Sequence, residues 1–160
     1  MKLFFPAQSA QSIAQYFLSL VDEEAGDSIS NLKLQKLLYY AQGFHLALYD
    51  TTLFPEAIKK WAHGPVVPQI YHEYKNYGAN AIPPVQIDLT DYSQNVRELL
   101  DEVYSVYGQF SALKLRSMTH NEPPWINTPD NEIISHDSMK QFFKTLILED
   151  DDPPKQTNQR

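Results

Sequence analysis

The stretch from Ser30 to Tyr49, SNLKLQKLLYYAQGFHLALY, constrains the fold more than any other part of the chain. Leu34, Leu37, Leu38, Ala41, His45 and Leu48 recur at three- and four-residue steps, the spacing that stacks side chains on one face of an α-helix. Leu32, Tyr39, Phe44 and Leu46 fall outside that stripe, so the helix is apolar over most of its circumference. Such a helix is buried between other elements rather than laid on a surface. Ser30 or Asn31 is expected to cap its start by accepting a bond from a first-turn backbone N–H. Lys33, Lys36, Tyr40, Gly43 and Ala47 form the line left to face water or a partner. A glycine in a helix interior costs about 1 kcal/mol against alanine, so Gly43 predicts another backbone passing close by.

The remaining segments read as elements docked on this core helix. Ala10, Ile13, Ala14, Phe17, Leu18 and Val21 mark a first amphipathic helix capped by Ser9, and Asp22 to Ser28 is an acidic loop. Ile58 to Ala62 alternates as a short strand, and Val85, Ile87 and Leu89 alternate as a second that could pair with it. Pro68 suits the first turn of a helix whose packed face would be Val67, Ile70, Tyr71, Tyr74 and Tyr77. Val96, Leu99, Leu100, Val103, Val106 and Tyr107 give another helix, and Ser111 caps the next. Thr119 to Pro129 is a loop. Ser135 or Asp137 opens the last helix, with Met139, Phe142, Phe143, Leu146 and Ile147 inward. The predicted fold is mainly α: one compact domain, residues 1–148, of five to six helices around the buried central helix, with a small two-stranded β element. Residues 149–160 are acidic, then polar, and are predicted to be a disordered tail.

Composition narrows the functional classes. The chain has no cysteine, which removes disulfides, thiolate nucleophiles and Cys-ligated zinc and fits a cytoplasmic protein. No apolar run approaches the roughly 20 residues of a membrane span, and Met1 to Pro6 is too short for a secretory signal. A net charge of -7 argues against a nucleic-acid surface and favours a basic partner. His72-Glu73 begins like a zinc-protease helix, but Asn76 stands where the second histidine belongs, so no metal site is expected. The glycines are isolated, with no phosphate-binding loop, and no cofactor is expected.

Two clusters stand apart. Trp61-Ala62-His63-Gly64-Pro65-Val66-Val67-Pro68 packs an aromatic, an ionisable ring and two prolines into one turn, and Thr119-His120-Asn121-Glu122-Pro123-Pro124-Trp125 repeats that mixture. One reading makes both rigid corners, in which Trp fills the core and His bonds a loop carbonyl. A second makes them a binding surface, because rigid aromatics are what interfaces favour. A third places an enzyme site between the two loops, with His63, His120 and Glu122 in acid–base roles.

LKLQKLLYYAQG (Leu32 to Gly43), LFPEAIKKWAHGPVVPQIYHEYKNYG (Leu53 to Gly78) and THNEPPW (Thr119 to Trp125) follow one another in an order that resembles the Panacea domain, a family also catalogued with phage-associated and mobile-element proteins. The resemblance runs from about Ser12 to Phe143. It implies an antitoxin of a toxin–antitoxin pair, a non-enzymatic protein that binds a cognate protein toxin and neutralises it. The alternative it implies is a proteolytic adaptor that delivers the toxin to a protease. A partner surface is expected on Lys33, Lys36 and Tyr40 of the core helix, on Trp61, His63, Gly64 and Pro65, and on His120, Glu122 and Trp125.

Overall fold

A computed structural model describes residues 7–151 of the chain. The stretch before residue 7, read above as too short for a signal, and most of the acidic tail, from residue 152, lie outside the described residues. Helix α2 (Asn31–Tyr49) is the predicted core helix, capped by Ser30, whose Oγ accepts from the Lys33 N–H at 3.3 Å. Around it pack α1 (Ala10–Ser19), α3 (Pro68–Tyr74), α4 (Gln94–Tyr107), α5 (Ala112–His120) and α7 (His136–Asp151), while α6 (Pro123–Ile126) bridges α5 and α7. The architecture is mainly helical around one buried helix, as predicted. The additional helix is α6, a single turn inside the segment expected to be loop, started by Pro123, which has no N–H to lose there. No helix among the described residues is long and apolar enough to cross a membrane.

The predicted caps are found where a hydroxyl precedes an apolar run. Ser9 and Ser12 form a reciprocal capping box on α1, Ser111 Oγ accepts from the Lys114 N–H, and Ser135 Oγ accepts from the Ser138 N–H.

Four expectations are corrected. The line predicted to face water on α2 is covered: Lys33 is 7% exposed, Lys36 1% and Tyr40 0%, and Gly43 is buried. A Cβ on Gly43 would overlap the ring of Phe143 from α7, so the close neighbour is an aromatic side chain and not a backbone. The strand pairing also differs. β1 (Lys59–Trp61) pairs antiparallel with β2 (Gly64–Val66), in a tight hairpin, and Val85 to Leu89 forms no strand. The other edge of β1 is occupied: the Lys60 N–H donates to Glu132 O and the Asn131 N–H donates to Lys60 O, each at 2.9 Å, so no edge is left for a second strand. Finally, Tyr71 is exposed within α3, and Tyr77 is exposed beyond its end, where a 3₁₀ turn (Lys75–Tyr77) breaks the helical step.

Candidate functional site

The buried polar residues of α2 act as pins for the surrounding loops. Gln35 Oε1 accepts from the Val67 N–H at 2.8 Å, Asn31 Nδ2 donates to Tyr71 O at 3.0 Å, and Gln42 holds Leu53 and Phe54 through both ends of its amide. Lys33 Nζ donates to Gly108 O at 2.6 Å, a cation set against the C-terminal end of α4. A buried polar group without a partner would cost about 1–3 kcal/mol, so each pin fixes one segment's position.

These pins bring the β1–β2 hairpin against α5 and α6, joining the two unusual clusters. Trp125 Nε1 donates to Trp61 O at 3.0 Å. His120 sits between two backbone carbonyls, with Nδ1 at 2.7 Å from Arg116 O and Nε2 at 2.9 Å from Ala62 O, and its ring lies 4.0 Å from that of Trp125. Lys60 Nζ lies 4.1 Å above the Trp125 ring, a cation–π contact. Arg116 Nε donates to His63 Nδ1 at 3.2 Å, and the His63 ring is otherwise exposed. The corner is therefore rigid, with each tryptophan and His120 committed to a specific contact.

Lys36 passes under this corner. Gly64 has φ +114, and a Cβ there would come within 2.6 Å of Lys36 Cε and 3.0 Å of Thr119 Oγ1. Glycine is required at this position both for its backbone conformation and to make room for the lysine. Lys36 Nζ donates to Pro65 O at 3.1 Å, and burial, helped by the nearby Arg116 charge, pulls its ammonium down to about 7. Above it opens a pocket of about 460 Å³ between α2, the hairpin, α3 and α5. Leu32, Trp61, Val66, Tyr71 and Leu113 supply its apolar wall, and Lys36, His63, Lys75 and Arg116 its polar part.

Glu122 is held on the other side of α2's polar face. Its two carboxylate oxygens accept from Tyr39 OH at 2.9 Å and Tyr40 OH at 2.8 Å. Burial pushes its carboxyl up to about 7, against the pull of the two tyrosine hydrogen bonds. Tyr40 also stacks on Tyr107, with ring centroids 3.9 Å apart.

The structure thus gathers Trp61, His63, Gly64, Pro65, His120 and Trp125 in one corner, with Lys36 beneath them. Lys33 lies against α4, and the half-buried Glu122 forms a separate group with the buried Tyr39 and Tyr40. Among the described residues no hydrogen bond joins His63, His120 and Glu122 to one another: both histidines contact Arg116, and Glu122 bonds Tyr39 and Tyr40. None of Arg116, Leu113 and Lys75 is singled out by the sequence, which places Tyr71 on a packed helix face. Arg116 had a readable signal, since it lies four residues before His120 and shares its helical face.

The family described as antitoxin SocA-like, Panacea domain, matches residues 34–126, from the core helix through α6. Among curated relatives, the antitoxin SocA of Caulobacter vibrioides (strain NA1000 / CB15N) is 30% identical over 109 residues, covering 61% of this chain and 58% of that protein. The chain thus spans a little over half the length of this relative. No solved structure matches the chain.

Proposed function

Because the chain belongs to the Panacea-domain family of SocA-like antitoxins, we propose that it is the antitoxin of a toxin–antitoxin pair and neutralises a cognate protein toxin by direct binding. The observation that carries this reading is that the matched residues 34–126 contain the whole rigid corner. Rigidity suits that corner to contact: both ring nitrogens of His120 face backbone carbonyls, His63 Nδ1 faces Arg116, and the exposed His63 has the exposed Tyr71 and Leu113 beside it around one pocket. Pre-positioned side chains lose little conformational freedom on binding. The net charge of -7 suits encounter with a basic toxin, since complementary charge speeds association.

The test is growth of cells expressing the adjacent small reading frame alone and together with this chain. The expected result is arrest alone and growth restored by co-expression, with the two proteins purifying together. Rescue with loss of the toxin in place of a stable complex would favour delivery to a protease. A neighbour that is harmless, or still toxic in the presence of this chain, overturns the antitoxin reading.

A further inference from the structure

The pocket above Lys36 has a chemistry that the family assignment does not account for. Four of its lining groups are basic or can carry positive charge, and none of the described residues lining it is acidic. Lys36 is 1% exposed, and its ammonium has three protons but, among the described residues, a single hydrogen-bond acceptor, the Pro65 carbonyl. The described ion pairs, Lys60–Asp130 and Lys140–Asp50, lie elsewhere. Arg116 adds a second charge close enough to act on Lys36, and Lys75 stands at the exposed side. Two cations converging without a counter-ion are costly to bury, and an anion from outside relieves that cost. The remainder of the wall is apolar, with Leu113 71% exposed at the mouth and the Trp61 and Tyr71 rings meeting edge to face at 5.2 Å.

We propose that this pocket is an anchor site for a protein partner, taking an apolar side chain that stands beside a carboxylate, with the carboxylate reaching Lys36 and Arg116. The inference rests on the reading that the chain works by binding a protein. It adds a local rule to the global one: the acidic surface favours a basic toxin, while the anchor selects an acidic and apolar spot on it. Trp61, Tyr71 and Leu113 hold the apolar part. Lys36 and Arg116 supply charge-assisted bonds at the buried floor of the site, where such bonds are strongest. Gly64 is part of the device, because any side chain there would displace Lys36 from the floor.

The probes are N-acetyl-L-phenylalanine, its uncharged amide and AMP, titrated into the full chain and followed by amide and indole chemical shifts. The acid is expected to shift Trp61, Gly64 and Arg116 signals and to bind about tenfold or more tighter than the amide, the usual range for a hydrogen bond to a charged group. In Lys36→Met, which keeps the length of the buried stem, that preference should fall to within about twofold while the amide still binds. Arg116→Gln should reduce it in part. Equal binding of acid and amide, shifts confined to other regions, or no binding overturns the proposal, and tighter binding of AMP reassigns the pocket to nucleotides. In the growth assay, Lys36→Met should lose rescue that the wild type retains; undiminished rescue by a folded Lys36→Met also overturns the anchor. Failure of the wild type to rescue strikes only the antitoxin reading, because the acid–amide comparison does not depend on the toxin.

Discussion

Replacing Lys36 by Met should stabilise the protein at neutral pH, and the gain should shrink as pH rises. Lys36 is 1% exposed, and burial with the Arg116 charge pulls its ammonium from 10.5 to about 7. Between pH 7 and 10.5 the unfolded chain therefore holds a proton that the folded chain has released. Stability must rise with pH across this window, by about 1.4 kcal/mol per unit for one proton. Relative to high pH, the lysine costs the fold about 4 kcal/mol at pH 7 and about 2 kcal/mol at pH 9. Methionine removes that cost but leaves the buried Pro65 carbonyl without its donor, a loss of about 1–3 kcal/mol. The net expectation is a gain of about 1–3 kcal/mol at pH 7 and a difference near zero at pH 9. Urea unfolding followed by tryptophan fluorescence on both proteins at pH 7, 8 and 9 measures it, and groups unchanged by the substitution cancel. A difference that does not vary with pH, or a Met variant less stable than wild type by more than about 1 kcal/mol at pH 7, would refute the argument that Lys36 is desolvated without an acidic partner.

Glu122 titrates in the opposite sense. Its folded carboxyl is raised from 4.5 to about 7, so the folded chain binds the extra proton, and stability should fall as pH rises through that window, by up to about 3 kcal/mol. Glu122→Gln should flatten the profile between pH 4.5 and 7, and an unchanged slope in the variant would remove Glu122 as its source. Gly43→Ala places a methyl into the Phe143 ring and should cost about 1–3 kcal/mol despite alanine's better helix propensity, read as a lower urea midpoint; an unchanged midpoint counts against the close packing of α2 on α7. Gly64→Ala should cost about 1–3 kcal/mol through its backbone conformation, φ +114, and its overlap with Lys36. Adding Lys36→Ala should recover at least about 0.5 kcal/mol beyond additivity, whereas strict additivity would place the lysine elsewhere.

The sequence by itself determined the core helix, the caps at Ser9 and Ser111 and the mainly helical class, and it narrowed two further caps to Ser30 or Asn31 and Ser135 or Asp137, of which the fold uses Ser30 and Ser135. These are local properties: a hydroxyl before an apolar run and a 3.6-residue period act within a few residues of themselves. It also singled out the two clusters that form the corner, because Trp, His, Gly and Pro crowded into short loops are unusual wherever they sit. Only the tertiary structure decided that Lys33, Lys36 and Tyr40 are buried, since a polar head on a helix reads as solvent-facing until a carbonyl or carboxylate from a distant segment meets it. The strand pairing was undecidable for the same reason, as the edge of β1 is filled by Asn131 and Glu132, some seventy residues away along the chain. The pocket likewise arises from α2, the hairpin, α3 and α5, and the convergence of Lys36 and Arg116 there depends on packing that no single stretch encodes.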